Sequence, residues 1–144
     1  MMKRFGVALL GLFAIAGSAP VRAAEPVLYP HEKLHDVTLP ADGHLKLSGW
    51  TRDGRSVAFR MKVPAGAEMT VNMVASSRRF TYLVIFDLND PDQEDAIYSS
   101  DTRKLPAHIF ADNEMDLLIR PFFAKQASRR GLGSHFDLEF NRTK

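Results

Sequence analysis

The sequence predicts an all-β protein: a single antiparallel β-sandwich or jelly-roll domain of about seven to eight strands. Three observations carry this expectation. Apolar residues recur with a period of two in nearly every patterned segment. Turn-forming residues such as Asp53-Gly54 and Pro64-Ala65-Gly66 stand where those segments end. No stretch sustains the helical period, and the chain has no cysteine, so an ordinary apolar core has to replace a disulfide framework.

Taken in order, the chain opens with Lys3 and Arg4, an apolar run from Phe5 to Ala16, and Val21-Arg22-Ala23. This is the pattern of a secretory signal peptide cleaved after Ala23, too short and wrongly flanked to span a bilayer. Residues 24–144 are then one exported, periplasmic domain. Leu34–Leu39 and Leu45–Trp50 are short strand candidates separated by Pro40-Ala-Asp-Gly43. Val57, Phe59, Met61 and Val63 alternate with Ala58, Arg60 and Lys62, and Met69, Val71, Met73 and Ala75 alternate with more polar partners. Arg52-Asp-Gly-Arg55 before the first of these runs and Pro64-Ala-Gly66 after it read as two hairpin turns. Tyr82 to Leu88 is apolar on both faces, as a central strand would be, and Met115 to Ile119 and Phe136 to Phe140 repeat the alternation. Short helical turns are expected at Pro91–Ala96 and Ala124–Arg130, and Gly131-Leu-Gly133 introduces the last strand.

Charge argues against nucleic acid as a partner. Without the signal peptide the balance is 16 Lys+Arg against 17 Asp+Glu. The distribution is polarised: residues 87–116 carry nine acids and two bases, residues 117–144 six bases and two acids. Such asymmetry can orient a charged partner at low salt.

Motifs of enzyme chemistry fail on context. His31-Glu32-Lys33-Leu34-His35 has the spacing of a zinc-protease helix, but Pro30 precedes it and a strand-like Val37-Thr38-Leu39 follows, so it reads as an arm entering the first strand. Asp87 to Asp95 is rich in carboxylates yet lacks the glycine and spacing of an EF-hand, and reads as a solvated loop. No nucleophile elbow is present, and His44, His108 and His135 stand without an acid or serine at diagnostic spacing. Trp50, the single tryptophan, could serve as a sugar-stacking platform, but one tryptophan in a strand is more often core and is read so here. The expectation is a non-enzyme with no cofactor and no metal.

The remaining segment, Ile119-Arg-Pro-Phe-Phe-Ala-Lys-Gln-Ala-Ser-Arg-Arg-Gly131, leaves one strand, displays Arg120, Lys125, Arg129 and Arg130, and returns to the last strand. Here the sequence resembles the periplasmic inhibitors of g-type (goose-type) lysozyme. The likeness runs with gaps from about Gly49 to Asn141. It rests on Phe59 to Gly66, Thr81-Tyr82-Leu83, Leu105-Pro106, and the closing stretch with its basic loop and Phe136 to Phe140. The resemblance implies a small cysteine-free sandwich that blocks a lysozyme cleft with loop bases. By position Lys125 and Arg129 match the two basic sites, and Tyr82 the tyrosine of the triplet. Lys125 departs from the arginine of the family, and an ammonium cannot reproduce a bidentate fork. Arg120 and Arg130 join these as candidate partner contacts. Two other readings stay open: an immunity protein against another cell-wall hydrolase, and a non-catalytic carbohydrate-binding or accessory sandwich. The oligomeric state is not legible.

Overall fold

The computed structural model describes residues 24–52, 55–90, 95–124 and 133–144. The signal peptide, Asp53-Gly54, the middle of the acidic loop (91–94), and the segment with Lys125, Arg129 and Arg130 (125–132) lie outside the described residues. Nine strands and no helix are found among those described: β1 (Lys33–Val37), β2 (His44–Thr51), β3 (Val57–Val63), β4 (Glu68–Ala75), β5 (Thr81–Asp87), β6 (Tyr98–Ser99), β7 (Ala107–Phe110), β8 (Met115–Phe123) and β9 (Ser134–Arg142). They form a five-stranded sheet ordered β1-β3-β8-β5-β6 and a four-stranded sheet ordered β2-β9-β4-β7.

The all-β sandwich agrees with the sequence, but its wiring differs in three ways. Both expected hairpins are corners between sheets. Arg52 and Arg55 close a tight turn through mutual backbone bonds of 3.0 and 3.1 Å, yet β2 and β3 then part into different sheets. Pro64–Gly66 likewise joins β3 to β4 across the sandwich. Every connection except that between β5 and β6 changes sheets, so a turn signal marks a reversal without fixing which strands pair. Secondly, β1 runs parallel to β3, with Lys33 opposite Val57 and Val37 opposite Met61. Thirdly, β6 and β7 are short strands in a stretch whose two and four residues are too few to show a period.

Alternation decides what is buried. Phe59, Met61 and Val63 of β3, Leu83 and Ile85 of β5, and Leu117 and Ile119 of β8 point inward from one sheet. From the other come Met69, Val71 and Met73 of β4 and Phe136, Leu138 and Phe140 of β9. The Phe59 and Phe136 rings meet edge to face across the sandwich, 6.2 Å apart at 78°. β5 is apolar on both faces because a second, smaller cluster lies outside the five-stranded sheet: Ala58, Leu88 and Leu118, with Leu34 and Phe86 packed against it.

Gly49 holds the inward place that a larger β2 residue would otherwise fill. A Cβ there would stand 2.5 Å from the tip of the fully buried Phe136 ring. Gly49→Ala should therefore overpack the core and cost about 1–3 kcal/mol in urea denaturation, with the m-value unchanged.

Candidate partner-binding end of the sandwich

Three connections, β2–β3, β4–β5 and β8–β9, converge on one end of the sandwich, and the Pro30–Glu32 turn before β1 joins them. The β8–β9 connection contains the basic segment, and both of its roots are clamped. On the β8 side Ala124 N–H donates to Phe80 O at 2.7 Å, and the Phe80 and Phe123 rings meet edge to face at 6.3 Å. On the β9 side Ser77 N–H donates to Ser134 Oγ at 3.1 Å, and His135 N–H donates to Ser76 Oγ at 3.0 Å. Gly133 adopts φ +65° against the end of β2, where a Cβ would lie 2.5 Å from Arg52 Cβ and 2.8 Å from Trp50 Nε1. Only glycine meets both the dihedral and the space. The base of the loop is thus stiff although the residues at its middle are not described.

Arg120 is placed otherwise than the sequence suggested. Pairing of β8 with β5 continues to Phe123 opposite Thr81, so Arg120 lies within a central strand and is not displayed on a loop. It is 8% exposed, on the outer face of the five-stranded sheet. Its Nε and Nη2 donate to the two Glu32 carboxylate oxygens at 3.0 and 2.9 Å, and Nη2 also donates to Val27 O. The guanidinium stacks over Tyr29 at 4.6 Å and faces Phe86 at 5.7 Å. The Glu32 side chain is 2% exposed. Residues 24–32 therefore form a strap across this sheet, fixed further by Ala24 N–H donating to Leu88 O at 3.2 Å. The strap accounts for the metalloprotease-like motif: Glu32 is the arginine's partner, His31 sits in a turn at φ +63°, and His35 lies on β1. No group of three metal-binding side chains occurs among the described residues.

Tyr82 is half-buried at the root of the same end, its ring 5.4 Å from Phe122 and its hydroxyl donating to Arg79 O at 3.2 Å. Sequence reasoning missed the bases beside it. Arg78 and Arg79 lie exposed in the β4–β5 turn, Arg55 is exposed and Arg52 half-buried in the β2–β3 turn, and none forms an ion pair with a described residue. Their signal was available: in a sandwich, these three connections open on the same end, so Ser77-Arg-Arg79 adds to the charge of 125–130. A groove of about 580 Å³ runs beneath, lined by Tyr29, Arg52, Arg55, Arg120, Phe122 and Phe123 among others.

Trp50 corrects a further expectation. It is 51% exposed, not core, with His135 edge-on at 6.4 Å.

No protein-family model matches the sequence, and a comparison with curated proteins finds no match either. Solved structures do match. The periplasmic inhibitor of g-type lysozyme PliG from Aeromonas hydrophila superposes with a TM-score of 0.61 at 19% identity, covering 77% of this chain and 98% of that one. The Salmonella Typhimurium PliG gives 0.52 at 12% identity, covering 76% and 97%. The sandwich has the fold of the g-type lysozyme inhibitors. The pre-peptidase C-terminal domain of a Bacillus anthracis collagenase also matches, at 0.52 and 8% identity over 76% and 96%. The fold is therefore shared beyond inhibitors, and function has to be argued from the site.

Removing Glu32 alone should leave a buried guanidinium uncompensated. Glu32→Ala is expected to cost about 3–5 kcal/mol in denaturant unfolding and to open residues 24–32 to protease. The double variant Glu32→Leu/Arg120→Met should recover most of that loss.

Proposed function

We propose that this protein is an exported, non-catalytic inhibitor that seats the loop end of its sandwich in the active-site cleft of a g-type lysozyme, protecting peptidoglycan. The observation that carries the reading is the convergence of bases that make no ion pair with a described residue on one clamped end of a sandwich with the fold of the PliG inhibitors. A lysozyme cleft is shaped for an extended glycan and holds carboxylates that work on the glycosidic bond. A projecting loop with guanidinium groups can enter it, pair with those acids and exclude substrate.

In this reading Arg129 and Lys125 reach the cleft, Arg130, Arg78 and Arg79 add to the field that steers association, and Tyr82 with Phe122 provides an aromatic shoulder. Arg120 acts indirectly. Bound by Glu32, it fixes the strap that walls the groove, so it is a positioning residue and not a charge offered to the partner. Lys125 delivers a point charge where a fork would grip a carboxylate in two places, so its contact is the weaker of the two.

The processed protein should inhibit a g-type lysozyme at near-stoichiometric concentration in a cell-wall lysis assay. Arg129→Ala should weaken inhibition at least about tenfold and Lys125→Ala less, as expected when one partner of a desolvated charge pair is lost. Raising salt from about 50 to about 500 mM should slow association more than it speeds dissociation. Full inhibition by Arg129→Ala would remove that residue from the interface. No inhibition of any g-type enzyme by the wild type would end the reading.

A further inference from the structure

At the same end of the sandwich lies a second groove of about 600 Å³, lined by His31, Glu32, Lys33, Trp50, Arg52 and Arg55 with Ser56 and Val57. A singly exposed aromatic residue is ordinary on a protein surface. Trp50 differs in how it is held. The Gly133 backbone abuts its Nε1 edge, His135 stands against it, and about half of its surface faces solvent. An indole braced this way has little side-chain freedom left to lose when something stacks on it.

Among the described residues lining the groove, the charges outside the Glu32–Arg120 pair are positive. Lys33, Arg52 and Arg55 line the groove, and the single acid in its lining, Glu32, is consumed by Arg120. Asp53 separates the two arginines in sequence, and with it counted residues 52–55 still carry a net positive charge. An apolar flat surface next to cationic forks suits a ligand with an apolar face and carboxylates along its edge. A pyranose ring meets the first demand, because its C–H face is apolar and lies well on the negative face of an indole. Acidic substituents on the sugar meet the second.

We infer that this groove binds a carboxylate-bearing amino-sugar glycan, the chemistry of the peptidoglycan strand, with Trp50 as the stacking platform and Arg52, Arg55 and Lys33 reading its acids. The site does not depend on the lysozyme reading. The glycan would lie at the same end of the sandwich as the β8–β9 connection, in a groove that shares Arg52, Arg55 and Ser56 with the one lined by Tyr29 and Phe122.

Trp50 is the single tryptophan of the chain, so its fluorescence reports this groove alone. Titrating the processed protein with a soluble disaccharide-peptide fragment of peptidoglycan should shift Trp50 emission to the blue and saturate. Neutral chitotetraose, which lacks the carboxylates, should bind at least tenfold more weakly, and the Arg52→Ala/Arg55→Ala variant should lose that preference. Trp50→Leu, with an unchanged circular dichroism spectrum and melting curve, should no longer co-sediment with insoluble peptidoglycan. No saturable change in emission, equal affinity for the two glycans, or unimpaired co-sedimentation of Trp50→Leu would each overturn the assignment. A wild type that binds glycan but inhibits no lysozyme would sink the inhibitor reading and leave this one standing.

Discussion

The constraint on which the structure depends is that its chain changes sheets at nearly every turn. A strand leaving one sheet cannot pair with its sequence neighbour, so every ladder but the short one between β5 and β6 joins strands that are not consecutive, among them β2 with β9, β3 with β8 and β4 with β9. Such contacts carry the full cost of loop closure before burial rewards them, which places folding among the slower, non-local cases. The compensation is a core to which both sheets contribute along their whole length. Phe136 on β9 touches Phe59 on β3 from the opposite sheet, and β9 itself runs between β2 and β4. The same wiring throws alternate connections to the same end, and that gathers bases from separate parts of the sequence into one surface.

A second consequence is what the outer face of the five-stranded sheet must do. Its central strand carries Asp116 and Arg120 on that face, both buried, and each needs a partner. Asp116 is gripped by Arg60 through contacts of 3.0 and 2.6 Å, and this pairing raises the Arg60 pKa above its ordinary value. Arg120 takes Glu32 from the strap. Buried pairs of this kind add little net stability compared with an apolar substitute, but breaking one is costly. Their contribution here is positional. The clasp decides where residues 24–32 cross the sheet, and so decides the wall shared by the two grooves.

Much of this was legible in the sequence, and the failures have physical causes. The period of two located every long strand because a sheet with one solvated face imposes it directly. The parity of β2 also held the right answer for Trp50. Leu45 and Leu47 point inward, so Gly49 does too and Trp50 must point out; the residue's size suggested burial when its position argued against it. Arg120 was misplaced because the alternation was followed only from Met115 to Ile119, whereas β8 runs on to Phe123. Pro121 is tolerated because pairing of β3 with β8 has already stopped at Ile119, freeing its backbone on that side. The clasp itself was beyond any local pattern, since Glu32 and Arg120 are 88 residues apart. Sheet assignment was illegible for a similar reason: Asp-Gly and Pro-Ala-Gly specify a reversal of the backbone, while the choice between a hairpin and a corner is made by packing.

Putting cationic groups together on one end costs mutual repulsion, and a protein with roughly balanced charge could have dispersed them. Here they are kept near one another on rigid roots, with the one nearby described acid, Glu32, locked inside its own ion pair. An arrangement intended only for solubility would interleave the signs. In the proposed reading such a field acts on a partner that supplies the missing acids, and two such partners meet wherever a lysozyme works: the carboxylates of the enzyme's cleft and those of the polymer it cuts. An inhibitor that offers neighbouring surfaces to both would raise its own concentration at the place where its target must bind, by the ordinary arithmetic of tethered sites.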